Sequence, residues 1–466
     1  MGKYFGTDGF RGEANVTLKA THAYGIGRFL GWYFSTSPWG SEGHKARVAV
    51  GKDTRRSSYM LEYGLVAGLT ASGADVYMLH VTTTPSVSFV TRQDGFDCGV
   101  MISASHNPFS DNGIKLVNSQ GEKISDHITD MIEAYLDEGA EGLRKFLPQL
   151  VGDDLPLATG EDLGQIIDHA SGRNRYIGYL ISLAAHTYQP YRIGLDLANG
   201  AAWSIAKAVF EALGATVYVI GDSPNGTNIN QGVGSTHIQA LQQLVVAEGL
   251  DMGFAFDGDA DRCIAVDEQG NVVNGDHILY ILGKDLASRG GLIGNTVVTT
   301  IMSNMGLYQA LSGAGIAYEQ TTVGDKYVYE RMAQKGYALG GEQSGHIILK
   351  KYATTGDGIL TAIMLTEVMA RQKAPLSRLA SPVTMFPQVC ESIPVADKDS
   401  VIGHPRVQGV LQVCQTQLGR QGRILLRKSG TEPVVRVMVE AKEPLVCQHL
   451  AQTMKETILS LQNREE

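Results

Sequence analysis

The chain has 466 residues, of which 43 % are hydrophobic and 19 % charged, and its formal net charge is −9. That balance describes a globular protein long enough for several cores; without a Lys/Arg block that could form a basic stripe, nucleic acid is not expected as a partner, whereas a small anionic ligand is compatible with an acidic chain. Five scattered cysteines (Cys98, Cys263, Cys390, Cys414, Cys447) form no CxxC pair, which predicts reduced thiols instead of a disulfide frame or zinc site.

The first residues, "MGKYFGTDGF", lack the apolar stretch of a secretory signal, and no run approaches the ~18 apolar residues of a membrane span. A cytoplasmic protein without membrane contact is expected. From there, short apolar strands alternate with helical patterns, which predicts α/β architecture. "RVAVG" (47–51) reads as a buried strand, "SSYMLEYGLVAGLTASG" as a helix stopped by glycine, and "ADVYML" as the next strand. The apolar run "CGVMI" then ends in "SASHNP" (103–108). Such an ending brings the chain to the surface, where loops carry chemistry; the alternative is an ordinary turn, since Ser, Asn and Pro favour turns for local reasons.

Residues 137–172, rich in Gly, Pro and acid, read as a linker or surface excursion. "RIGLDLA" (192–198) starts a second set, with a helix over 201–213 and the strand "ATVYVI". "TVVTTIM" (296–302) starts a third, with helices near 304–313 and 325–335. A break with Pro375, Pro382, Pro387 and Pro394 falls at 373–400. Beyond it "RILLRKS" and "VVRVMVEA" read as strands and 444–461 as a closing helix, a small α+β domain. The predicted domains are 1–155, 156–268, 269–375 and 376–466.

"FAFDGDADRCIAVDEQG" (254–270) places Asp257, Asp259 and Asp261 at i, i+2 and i+4. Three carboxylates this close repel unless a cation sits among them, and an all-oxygen set favours Mg²⁺ or Ca²⁺. Positions 1, 3, 5 and 12 counted from Asp257 also match an EF-hand loop. The sixth position is Arg262 instead of glycine, however, and strands instead of helices flank the loop, so that reading fails. "LLRKSGTEPVVR" (425–436) offers Arg427, Lys428 and Arg436 around a Ser-Gly-Thr turn able to nest an anion, with a plain hairpin as the alternative. "LGGEQSGHIIL" (339–349) presents Glu342, Ser344 and His346 among glycines that admit close approach of a ligand. "GTDGFRG" (6–12) presents Arg11 in a glycine frame, and "TTGDG" (354–358) reads as a helix start with a Thr or Asp cap. Together these segments supply a hydroxyl nucleophile, a hard cation, a phosphate cradle and a polar loop of sugar size, a set suited to phosphoryl transfer.

Five stretches in this order, "GTDGFRG", "SASHNPFSDNGIKL", "DGDADR", "GGEQSGH" and "RKSGTEPVVRVMVE", resemble the signatures of the α-D-phosphohexomutase superfamily, most closely its bacterial branch acting on glucosamine phosphate. The resemblance spans nearly the whole chain. It implies three similar mixed-sheet α/β domains and a smaller C-terminal α+β domain around a central cleft, and a monomer or homodimer. It implies that Ser105 is the phosphoserine and Ser103 structural. One Mg²⁺ per chain would be held by Asp257, Asp259, Asp261 and an oxygen of phosphorylated Ser105. Lys115, Arg11, His106 and His346 would lie at the reacting group, with Lys115 a candidate base. Glu342 and Ser344 would grip the sugar, while Arg427, Ser429, Gly430, Thr431 and Arg436 would hold the substrate's resident phosphate.

The implied reaction converts glucosamine 6-phosphate to glucosamine 1-phosphate through a 1,6-bisphosphate that turns end for end, supplying the precursor of a UDP-linked amino sugar. Two other functions are weighed. Phosphomannomutases and phosphoglucomutases of the same superfamily carry sugar loops resembling "GEMSGH" or "GEES", whereas this chain has Gln343. A non-catalytic sugar-phosphate sensor would have lost Ser105 or one of the three aspartates, and all are present.

Overall fold

The computed structural model describes residues 2–36, 44–419, 421–428 and 433–462. They form two compact units, one from Gly2–Met302 and Gly315–Ser381, the other from Ser303–Ala314 and the chain from Pro382 onward.

The larger unit holds three sheets. The first has seven strands in the order Phe5–Gly6, Gly9–Glu13, Asp111–Asn118, Cys98–Ile102, Arg47–Lys52, Asp75–Val81 and Ile166–Asp168. The strand Arg47–Lys52 pairs in parallel on both sides and is buried on both faces, as parallel strands usually are. Val48 and Val50 pack with Leu61, Leu65 and Leu69 of the helix Arg56–Ala71. On the opposite face, Ala49 packs with Val87 and Val90 of the helix Thr84–Gln93.

The second sheet runs Val272–Val273, Cys263–Asp267, Met252–Phe256, Arg192–Asp196, Thr216–Ile220. The third runs Ala317–Thr321, Thr296–Thr300, Leu339–Gly341, Ile347–Leu349. In all three, a group of parallel strands is followed by an antiparallel hairpin: Cys98–Ile102 with Asp111–Asn118, Met252–Phe256 with Cys263–Asp267, and Leu339–Gly341 with Ile347–Leu349; further antiparallel strands extend the first two sheets. The loops of these equivalent hairpins are the serine, triple-aspartate and glutamate segments of the sequence. The domain similarity therefore lies in topology, and each domain offers the same loop for chemistry.

The smaller unit carries an antiparallel sheet in the order Gln388–Pro394, Val434–Ala441, Gly422–Lys428. Its core joins Ile393, Val435 and Val437 to Val407 of the helix Pro405–Leu418 and to Leu450, Met454 and Ile458 of Pro444–Gln462. The expected plan of three mixed α/β domains and a smaller α+β domain is the observed one.

Three local readings change. Residues 137–172 do not form a linker. The helix Asp126–Leu143 extends into them, buried Arg28 donates to the carbonyls of Leu155 and Pro156, and Ile166–Asp168 adds the seventh strand to the first sheet. The helix expected over 201–213 is a 3₁₀ turn, Ala201–Ser204, followed by Ala206–Ala212. The helix Met305–Gly313 belongs to the smaller unit. Asn304 exchanges hydrogen bonds with the Phe386 backbone at 2.9 and 3.0 Å, and Glu440 accepts from the Met305 amide at 3.3 Å.

Candidate active site

The strand Cys98–Ile102 is wholly buried, and its hairpin ladder runs on to Ser103, whose amide donates to Gly113 O at 3.0 Å. The Ser103 hydroxyl donates to Asp53 at 2.7 Å and accepts from the Ser105 amide at 2.9 Å. Its donor and acceptor roles are both taken, by Asp53 and by the loop's own backbone, in keeping with a structural part. Ser105 has a φ of 52°, a left-handed conformation that a non-glycine residue keeps only when its surroundings impose it. Its hydroxyl donates to Asp257 and lies 3.3 Å from His106 Nδ1. Burial, reinforced by Arg262 and Arg11, pushes the His106 imidazole down to about 4, so it is neutral at pH 7. We expect Ser103→Ala to keep a measurable fraction of turnover and a phosphate on Ser105. The loss of two buried hydrogen bonds, about 1–3 kcal/mol each, would loosen the loop without removing the nucleophile. Steady-state kinetics with intact-mass analysis checks both points.

The second hairpin brings the three aspartates to this serine. Asp257, Asp259 and Asp261 are buried, and one oxygen of each lies within 4.8 Å of the others. A Cβ at Gly258 would sit 2.5 Å from Ser105 O, so only glycine lets the two loops approach this closely. Lys115 Nζ donates to Asp259 at 2.8 Å and Asp261 at 3.0 Å and pairs with Asp8 at 3.2 Å, and Thr84 also donates to Asp259. Asp259 Oδ1 and Asp261 Oδ1 are buried with no hydrogen-bond partner among the described residues. Burial, then repulsion by Asp261 and Asp259, pushes Asp257 up to about 8, and burial with the Asp261 charge raises Asp259. Asp261 is different: burial opposes its charge, yet Lys115 and His346 hold it well below the usual carboxylate range. For Lys115 itself, burial opposes the charge, but Asp259, Asp261 and Asp8 keep it strongly cationic. Three buried carboxylates, two of whose oxygens accept no hydrogen bond among the described residues, make a donor set that fits a hard divalent cation.

The third hairpin's loop, residues 342–346, leans on the second. Cys263 and Gly275 amides donate to Gly345 O and Gln343 O at 3.0 Å each. Gly345 has a φ of 90°, and a Cβ there would meet Cys263 O at 2.2 Å, so the position demands glycine. Glu342 accepts from the Gly324 amide at 3.1 Å, burial raises its pKa, and Ser344 Oγ is buried without a hydrogen-bond partner among the described residues. His346 lies 3.6 Å from Asp261 and 3.4 Å from Asp325. Burial opposes its charge, but the Asp325 and Asp261 carboxylates raise it to about 9. Asp357 caps the helix Gly358–Gln372 as expected, accepting from Leu360 N at 2.9 Å.

Arg11 pairs with Asp8 and donates to Asn107 at 3.2 Å, which places it on the serine loop. The larger unit therefore brings together Ser105, His106, Lys115, Arg11, the three aspartates, Glu342, Ser344 and His346. In the smaller unit, Arg427 and Arg436 are direct cross-strand partners. Burial and the Arg436 charge lower the Arg427 pKa, as expected of two adjacent cations suited to an anion. Ser429, Gly430 and Thr431 lie outside the described residues.

Sequence reasoning missed several contributors. Asp8 links Arg11, Lys115 and Lys123, while Asp53 and Arg55 anchor the serine loop from the end of the strand Arg47–Lys52. Asp325 faces His346, and Arg262 lies 4.0 Å from Asp257 and Asp261. Asp8 sits inside "GTDGFRG" and Arg262 inside "DGDADR", so both were within quoted motifs; Asp53, Arg55 and Asp325 had no such marker.

Family models of the phosphoglucomutase/phosphomannomutase alpha/beta/alpha domains I, II and III match residues 2–142, 174–270 and 274–386, and the C-terminal domain model matches 392–456. The chain belongs to the phosphohexomutases. Curated relatives of this phosphohexomutase include a phosphoglucosamine mutase of Lachnospira eligens, 58 % identical over 460 residues and 99 % of both chains. Another, from Bacillus cereus, is 46 % identical over 447 residues and 96 % of both chains. Two solved structures share the fold. A phosphoglucomutase/phosphomannomutase family protein of Burkholderia thailandensis has a TM-score of 0.77 at 24 % identity over 97 % of both chains. An N-acetylphosphoglucosamine mutase of Aspergillus fumigatus, solved with GlcNAc-6P and magnesium, has a TM-score of 0.69 at 19 % identity over 98 % of this chain and 95 % of that one.

Proposed function

We propose that this phosphohexomutase interconverts glucosamine 6-phosphate and glucosamine 1-phosphate, with Ser105 Oγ as the atom that gives and receives the phosphoryl group. The observation that carries this reading is the Ser105 hydroxyl donating into a buried nest of three aspartates backed by Lys115. Full-length similarity to phosphoglucosamine mutases supplies the substrate. Asp257, Asp259, Asp261 and an oxygen of phosphorylated Ser105 would hold one Mg²⁺, which when bound neutralises phosphoryl charge.

Phosphorylated Ser105 gives its phosphoryl to the free sugar hydroxyl. The sugar oxygen forms its bond to phosphorus as it loses its proton, the bond to Ser105 Oγ breaks, and glucosamine 1,6-bisphosphate results. After the intermediate turns end for end, Ser105 Oγ takes the other phosphoryl and the sugar oxygen regains a proton. Lys115, held cationic by three carboxylates, lends charge to the transferred group and can donate a proton. Neutral His106, 3.3 Å from Ser105 Oγ, can accept one. Positioning and charge neutralisation of this kind carry most of phosphoryl-transfer catalysis. Arg427 and Arg436, with Ser429, Gly430 and Thr431, would bind the phosphate that stays on the sugar.

Selectivity falls to the loop from Glu342 to Ser344, because every hexose phosphate offers Arg427 the same group. Glu342 can accept from both a sugar hydroxyl and a 2-ammonium group. Such a charge-assisted bond contributes about 1.5–3 kcal/mol, roughly one to two orders of magnitude. A coupled assay with glucosamine, glucose and mannose phosphates side by side should show glucosamine phosphate preferred. Gln343→Met should narrow that preference, and Arg427→Ala should weaken all three about equally. Equal kcat/KM for mannose and glucosamine phosphates would overturn the amino-sugar assignment and leave the mutase chemistry standing.

A further inference from the structure

The carbonyl oxygens of Ser105 and Asn107 each receive two hydrogen bonds. Arg55 donates to both through one guanidinium nitrogen, at 2.9 Å each. Asn230 donates to the same pair through its side-chain amide, at 2.9 and 3.1 Å. The two donors come from different domains. Arg55 follows the strand Arg47–Lys52 of the first sheet, and its remaining donors go to Asp53, Pro108 O and Asp111 O. Asn230 lies in the second domain, where its amide donates to Ala198 O at 2.8 Å, and it is buried with a φ of 58°.

The geometry points to Asn230 as a positioning residue for phosphoryl transfer, fixing the Ser105 loop of the first domain in register with the aspartate loop of the second. This inference rests on the proposed function. A relaxed backbone at Ser105 would swing its carbonyl away from both donors, so the left-handed φ of 52° is held from its own domain by Arg55 and from the second domain by Asn230. Asn230 belongs to the same domain as Asp257, to which the Ser105 hydroxyl donates. It therefore ties the transferring oxygen to the carboxylates instead of merely stabilising the turn. Displacing a reacting atom by about 1 Å costs on the order of 10²-fold in rate.

Asn230→Ala should lower kcat about 10²-fold and change KM less than about threefold, because the sugar-binding residues are untouched. The rate at which a hexose 1,6-bisphosphate phosphorylates Ser105, followed by intact mass, should fall in step with kcat. Thr54→Val is the control. Thr54 also bridges the two domains, donating to Asn199 O at 2.6 Å, but it does not touch the serine loop, so this variant should keep near wild-type kcat. Asn230→Thr replaces Asn230→Ala if the latter does not accumulate folded, and the same expectations apply. Wild-type rates of Ser105 phosphorylation in the Asn230 variant, or an equal loss of kcat in Thr54→Val, would overturn the positioning role. Wild-type protein that never carries phosphate on Ser105 would instead overturn the functional reading beneath it.

Discussion

Ser105→Ala is expected to abolish turnover, with a loss on the order of 10⁶-fold, the scale seen when the nucleophile of a covalent mechanism is removed. The neighbouring hydroxyl cannot substitute. Ser103 donates to Asp53 and accepts from the Ser105 amide, so its oxygen is engaged in the loop while that of Ser105 donates to Asp257. Intact-mass analysis should find one phosphoryl group on the wild-type protein and none on Ser105→Ala. A phosphate that persists in the variant, or turnover that survives, contradicts Ser105 as the transferring residue.

The second large effect concerns the aspartates. Asp259→Asn keeps the side chain's shape and removes one of three carboxylates from a buried cluster in which two oxygens accept no hydrogen bond among the described residues. Activity should fall at least about 10²-fold, close to 3 kcal/mol of transition-state stabilisation, and the affinity for Mg²⁺ measured by calorimetry should fall with it. The cluster also sets a sign for pH. Asp257, pushed up to about 8 by burial and its two acidic neighbours, is largely protonated at pH 7 without a cation. Binding a divalent cation must therefore release that proton, and the affinity should weaken as pH falls below about 8. Calorimetry in buffers of different ionisation enthalpy reads the released proton directly. Full activity of Asp259→Asn in the presence of a chelator would rule out the cation site.

Much of this site was legible because its chemistry is contiguous. Ser105 with His106, the three aspartates and the Glu342–His346 loop each occupy one hairpin loop, and a hairpin loop is short enough to read as a string. The aspartates also distinguish themselves from an EF-hand locally, since Arg262 stands where that loop needs glycine, and strands do flank them. What could not be read acts only through space. Asp53 and Arg55 look like any polar pair after a strand until Ser103 and the Ser105 carbonyl close on them. Asn230 is more than a hundred residues from the carbonyls it holds. The charge environment of Lys115 is likewise built through space, by carboxylates of Asp8, Asp259 and Asp261.

Fold errors have the same origin. The edge strand Ile166–Asp168 has three residues and no buried one, so no period-2 pattern marked it and only its pairing with Asp75–Val81 makes it a strand. The helix Met305–Gly313 was recognised as a helix, but its allegiance to the C-terminal unit is decided by Phe386 and Glu440, distant in sequence.

The claim that Ser105 is both donor and acceptor of the phosphoryl group is tested most directly by a single turnover of enzyme carrying radiolabelled phosphate on Ser105 with unlabelled glucosamine 6-phosphate. The label should pass to the sugar, appearing in glucosamine 1-phosphate, while the substrate's own phosphate remains on the protein. Product formed with all of the label still on Ser105 would contradict the mechanism.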